Sequence, residues 1–252
     1  MFFVEKLWKK KFRNAIFVVI LIYPLIETLV FAKLFTTQGV YKPAECFFLR
    51  CNTAGYHHLF QTLFLWPLPM YLLTLFSAMY WSEKKTGYKN AIISRIGKKK
   101  YIKKSLSLSF CGAFVLVMAS MCLNMLVSHL LFNGGKLSNI EMELIKDSFL
   151  KWQVLHPCMA NLLFSLILAF VAGIVAMAGA ACTIMTTNLK NVYGVIMAAW
   201  FVLLLKKNSI ALLFQPASEY SLDTLGPIFV EVVILFVTIG CVAYFKEMKS
   251  ES

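Results

Sequence analysis

A chain of 252 residues that is 60% hydrophobic and only 15% charged, with a mean hydropathy of +0.72, is too apolar for a soluble domain of its length, which normally carries about a quarter charged residues. An ordinary soluble enzyme or binding module is excluded, and a membrane-embedded protein is the class that remains. A net charge of +13 would suggest nucleic acid as the partner of a soluble protein. In a membrane protein the same excess collects at one face, so no nucleic-acid partner is expected.

In chain order, a basic stretch with Lys6, Lys9, Lys10, Lys11 and Arg13 comes first. Six apolar runs of spanning length follow, at 15–35, 59–81, 106–132, 160–185, 192–205 and 226–245. The expected fold is an all-α polytopic membrane protein, one domain over residues 1–252 with six transmembrane helices. The fifth run is the shortest, and its failure to cross would move the C-terminus to the other side. The first run reads as a retained anchor, because no A-x-A-like cleavage site follows it in Phe35-Thr36-Thr37-Gln38.

The positive charges test this count. Nine of the 25 basic residues lie at 82–105, namely Lys84, Lys85, Lys89, Arg95, Lys98, Lys99, Lys100, Lys103 and Lys104. Lys190 lies between the fourth and fifth runs, and Lys246 and Lys249 follow the sixth. With the N-terminal five, alternate segments hold seventeen of the 25. The positive-inside rule then puts both termini in the cytoplasm, as an even number of spans requires. The location read from this is a multi-pass cell membrane protein of a bacterial plasma membrane, in contact with membrane lipids.

Several local features bear on function. Cys111, Cys122, Cys182 and Cys241 fall within runs and read as small apolar core residues. Cys158 lies at the outer end of the fourth run. Cys46 and Cys51 share the first outer loop, where a disulfide is chemically permitted; whether they are bonded stays open. Glu27 and Glu231 are carboxylates inside runs, where ionisable groups are costly and often functional. They are read either as a pathway for a cationic cargo or as structural partners of Lys33 or Lys206. Pro67 and Pro69 interrupt the second run, since each removes a backbone donor. Ala169, Gly173, Ala172, Ala176 and Ala180 form a close-packing face on the fourth. In the largest outer segment, Ile140, Leu144, Phe149 and Trp152 suggest a short surface helix. The apolar start of 208–227, broken by Pro216 and Pro227, suggests a re-entrant hairpin.

Recognisable enzymatic chemistry is missing from the sequence. Gly134-Gly135-Lys136 lacks the earlier glycine of a phosphate-binding loop and follows an apolar run rather than a strand. No H-E-x-x-H pattern occurs, and adjacent His57 and His58 do not by themselves make a metal site. No catalytic residue and no metal is expected in this chain.

The loop Trp81–Ser105 holds the strongest motif. Glu83 ends the second run, and Gly87 allows a tight change of direction. Lys89 to Ile96 then places Ile92, Ile93 and Ile96 on one side of a short helix that Gly97 can cap. With the isoleucines outward, this helix would plug a groove on a cytoplasmic partner. With its lysines on anionic headgroups, it would lie on the membrane instead.

Glu83, Gly87, Ile92, Ile93, Ser94, Arg95, Tyr101 and Lys104 together resemble the coupling-helix loop of the six-span membrane subunits of ATP-binding-cassette transporters of the second exporter class. The basic stretch 2–12 resembles the interfacial helix that precedes the first span there, and the broken segment before Glu231 resembles the re-entrant half-helices. One departure is Gly97, near which many relatives carry proline. In size and single-domain form the chain looks most like the small permeases of lantibiotic immunity and bacitracin-type export. The resemblance implies an ATPase-coupling role for Glu83, Gly87, Ile92, Ile93, Arg95 and Ile96. It also implies a separate cytoplasmic ATPase that binds ATP and Mg, and a second permease, identical or homologous. The cargo so implied is a hydrophobic or cationic peptide antibiotic. The rival expectations are a non-transporting immunity or sensor protein that binds peptide and a membrane-embedded enzyme.

Overall fold

The computed structural model describes residues 2–34, 42–50, 57–135, 147–186, 188–217 and 220–249, with the backbone alone for 2–10, 34, 57 and 58. These residues form ten α-helices: α1 (Phe2–Leu34), α2 (His57–Leu65), α3 (Leu68–Leu72), α4 (Ala78–Lys85), α5 (Tyr88–Ile96), α6 (Lys98–Leu131), α7 (Ser148–Leu155), α8 (Pro157–Met185), α9 (Leu189–Leu205) and α10 (Leu222–Lys249). A π-helical turn at Leu73–Ser77 joins α3 to α4, and 3-10 turns lie at Pro43–Cys46 and Ile210–Phe214. No strand occurs among the described residues.

Among the described residues, four helices are long and apolar enough to cross a bilayer, at Lys11–Lys33, Lys98–Leu131, Pro157–Met185 and Leu222–Lys249. The pair Leu59–Leu65 and Leu68–Lys85, bent by 43°, makes a fifth if taken as one span. The bend falls at Pro67 and Pro69, as the missing donors require. The shortest run belongs to α9, an apolar helix of 17 residues. The basic stretch 2–12 continues into the first run as one helix, α1.

Helix α8 is the centre, packed against both α6 and α10. Its small residues explain how. Ala169, Ala176 and Ala180 are fully buried, and a Cβ at Gly179 would overlap Leu73 Cδ2. The close-packing face therefore works inside the bundle. A larger residue at 179 would push α8 off the π-helical turn.

Helix α1 is held by hydrogen bonds that answer its own proline. Pro24 has no N–H to offer the carbonyl of Ile20, four residues earlier. Ser120 Oγ on α6 donates to that carbonyl at 2.7 Å. One turn on, Asn124 Nδ2 donates to Pro24 O at 2.8 Å and Thr28 Oγ1 at 2.7 Å, while Asn124 Oδ1 accepts from Phe48 N at 3.0 Å. One more turn on, Ser128 Oγ donates to Cys46 O at 3.2 Å. Ser120, Asn124 and Ser128 are fully buried at four-residue spacing, so one stripe of α6 binds α1 and the segment 46–48 together. The same device recurs at Pro69, whose vacated acceptor, Leu65 O, receives Trp200 Nε1 from α9 at 3.2 Å.

One expectation for the segment before the last helix changes. Before α10 the described residues hold one 3-10 turn, not a pair of half-helices. Ile210, Leu213 and Phe214 bury that turn, with Phe214 stacked on Trp200 at 6.3 Å between ring centroids. The turn thus uses its apolar residues as a lid on the bundle core rather than as a hairpin in a cavity. The short helix expected before the fourth run is present as α7, capped by Asp147, whose Oδ1 accepts from Phe149 N and Leu150 N. Phe149 and Trp152 stack on it at 5.9 Å, while Ile140 and Leu144 lie outside the described residues.

Candidate functional site

The site is built where α4, α5 and α6 meet. Thr86 ends α4, and Gly87 at φ +73° turns the chain into α5. Gly97 at φ +81° and ψ 149° turns it again into α6. That second conformation belongs essentially to glycine. It is closed to proline, whose ring holds φ near −65°. This accounts physically for the departure at Gly97.

Five motif residues come together. Tyr101 OH donates to Glu83 Oε2 at 2.8 Å, joining the first turn of α6 to the end of α4. Glu83, Ile92, Ile96, Tyr101 and Lys104 line one cavity of about 170 Å³. Ile93 packs with Ile92 on Tyr101, Ile102 and Ile184, flanked by Tyr244 and Met248 of α10.

The direction of the isoleucines is therefore a correction. Ile92 and Ile93 face the bundle, and Ile96 sits at its rim, 36% exposed. A short helix beside an apolar bundle buries its apolar stripe on the nearest apolar surface. The face left outward carries Tyr88, Asn90, Ala91, Ser94 and Arg95, all exposed.

Three lysines of the loop do more than add charge. Lys89 is buried and its Nζ lies 2.7 Å from Glu247 Oε1 on α10. Lys98 Nζ donates to Glu247 O at 2.6 Å. Lys84 Nζ reaches the last carbonyls of α8, Ile184 O at 3.1 Å, Met185 O at 3.3 Å and Thr186 O at 3.2 Å. A cation there satisfies acceptors left open at a helix C-terminus and complements its dipole. The short helix α5 is thereby tied to α10, and α4 to α8. Sequence reasoning read these lysines as orienting charges or as contacts for anionic headgroups. The available signal was Glu247, an acidic residue flanked by Lys246 and Lys249 at the end of the sixth run.

The remaining candidates lie apart. Glu27 is buried in a small cavity of about 20 Å³ with Thr28, Phe31, Glu45, Cys46, Phe47 and Arg50. Glu231 is about half exposed and bound by Lys206 Nζ at 2.6 Å and 2.8 Å, one of the pairings its sequence position allowed. Glu27 and Glu231 do not share a site. Burial, assisted by Glu45, pushes the Cys46 thiol up to about 12. Burial lowers the Arg50 guanidinium from its usual value, with Glu45 opposing. Cys51 lies outside the described residues, as do the side chains of His57 and His58. No cluster of three metal-ligating side chains occurs among the described residues.

These observations define an all-helical protein whose four to five long apolar helices suit a multi-pass membrane protein. Uncharacterized protein YybM of Bacillus subtilis (strain 168) is 32% identical to it over 253 residues, covering 99% of this chain and 98% of the Bacillus protein. The chain belongs to the same family as YybM. No protein-family model and no solved structure matches it.

Proposed function

We propose that this chain is the permease subunit of an ATP-binding-cassette exporter of the second class, driven by a separate cytoplasmic ATPase that binds ATP and Mg. The observation that carries the reading is α5, a two-turn helix set off by Gly87 and Gly97 between two long helices and fastened to α10 through Lys89 and Glu247. A helix braced in this way would pass a push from a partner to the long helices rather than absorb it. Its outward face, Tyr88 to Arg95, is the contact for the ATPase.

In this reading α9 and the bent pair both cross, giving six spans with both termini in the cytoplasm, as the distribution of positive charge favours. Two permeases, identical or homologous, form the pathway in a bacterial plasma membrane. The cargo is a hydrophobic or cationic peptide antibiotic, expelled for self-protection. Exposed Glu231 is the better placed of the two carboxylates to meet it, because Glu27 is enclosed.

The test is the dose of cationic peptide antibiotic that cells tolerate with and without the chain. Expression should raise that dose, and Gly87→Pro with Ile92→Asp should remove the gain. Unchanged tolerance in both comparisons would reject the transport reading.

A further inference from the structure

A second cavity lies on the flank of the bundle, at the same end as α5. Its volume is about 340 Å³, and it is bounded by the ends of α8 and α10 and the start of α9. Cys182, Val192 and Ala243 form its buried floor. Val195 and Val242, 51% and 61% exposed, form the lips through which it opens sideways. Apart from Thr238, the rest of the wall is apolar except at one end, where Thr186, Asn191 and Lys246 stand.

The walls suit a hydrocarbon chain, because a water-soluble ligand would find almost no hydrogen-bonding group along them. The polar end carries a cation that its neighbour in sequence does not neutralise. Glu247 turns away to meet Lys89 at 2.7 Å. A lysine at the edge of an apolar groove binds phosphate as a point charge. At the end of a membrane bundle, the molecule with both parts is a phospholipid.

We propose that this groove holds an acyl chain of one anionic phospholipid, with its headgroup phosphate on Lys246. The site rests on the membrane reading of the chain but not on coupling to an ATPase. It survives failure of the transport test, and its own failure leaves that test untouched.

The experiment is native mass spectrometry of the detergent-solubilised full chain, titrated separately with phosphatidylglycerol and phosphatidylcholine of equal acyl length. The wild type should retain one phosphatidylglycerol, about fivefold more tightly than phosphatidylcholine, the size of effect one basic residue near a membrane surface supplies. Lys246→Glu should abolish the preference. Lys99→Glu, the same charge change at an exposed position outside the groove, should leave it. Val195→Trp should fill the groove and weaken both lipids. Should that variant fail to fold, the two charge changes, both at exposed side chains, still decide. Equal retention of the two lipids, or a preference that survives Lys246→Glu, would overturn the proposal. So would efficient cross-linking between copies through Val195→Cys, which would make the groove an interface between chains.

Discussion

Lys89 on α5 and Glu247 on α10 form an ion pair at 2.7 Å with side chains only 10% and 8% exposed, across 158 residues of sequence. Breaking a buried pair by removing one partner is destabilising by roughly 3–5 kcal/mol, because the survivor keeps its desolvation cost. Lys89→Ala should therefore lower the thermal midpoint of the detergent-solubilised protein substantially. Replacing both residues by methionine should recover most of the loss, since an apolar pair of similar volume is often neutral. Equal loss in the single and double variants would show that the pair is not what fastens α5.

The bond from Ser120 Oγ to Ile20 O exists because Pro24 cannot supply the backbone donor. Ser120→Ala should cost about 0.6 kcal/mol, the mean for hydrogen bonds between membrane helices. In a Pro24→Ala background α1 regains that donor, and the same change should then cost close to nothing. A double-mutant cycle on unfolding free energy reads the difference directly.

Gly97 sits at φ +81° with nothing within 4 Å of where a Cβ would stand. Space is therefore not the constraint; backbone conformation is. Gly97→Ala should destabilise by about 1–3 kcal/mol, and Gly97→Pro by more. Gly194→Ala, also open within 4 Å but in ordinary helical backbone, should be neutral or mildly stabilising. Thermal midpoints of the three variants check this.

The Cys46 thiol, pushed up to about 12 by burial and by Glu45, holds almost no thiolate at pH 8. Because the thiolate is the reactive form, alkylation of Cys46 in the reduced protein should be slow at pH 8 and speed up about tenfold per pH unit. Exposed Cys158 should label well before Cys46. Rapid labelling of Cys46 at pH 8 would contradict its half-buried place beside Glu45.

The apolar runs were legible because a bilayer demands long uninterrupted hydrophobicity, and α6, α8 and α10 have it. The kink was legible too, since Pro67 and Pro69 remove donors wherever they stand. The orientation of α5 was not. Periodicity shows that Ile92, Ile93 and Ile96 share a face but not which surface that face meets, and the answer lay with Tyr101, Ile184 and Met248. Lys89 was hidden for a different reason. Among nine basic residues it looks like one more orienting charge, and its burial depends on Glu247, far along the chain. The polar stripe Ser120, Asn124 and Ser128 was readable in principle from its four-residue spacing inside an apolar run. Its partners were not, because Ile20 O and Pro24 O are backbone atoms that no residue pattern marks.

The central claim is that the outward face of α5 couples this chain to an ATPase. Affinity purification of the chain from detergent-solubilised membranes, with mass spectrometry of what accompanies it, tests this most directly. The account predicts an ATP-binding-cassette ATPase in stoichiometric amount with the wild type, lost on Arg95→Glu, while Lys246→Glu retains it. A stable chain with no such ATPase, or an ATPase held equally by Arg95→Glu, would contradict it.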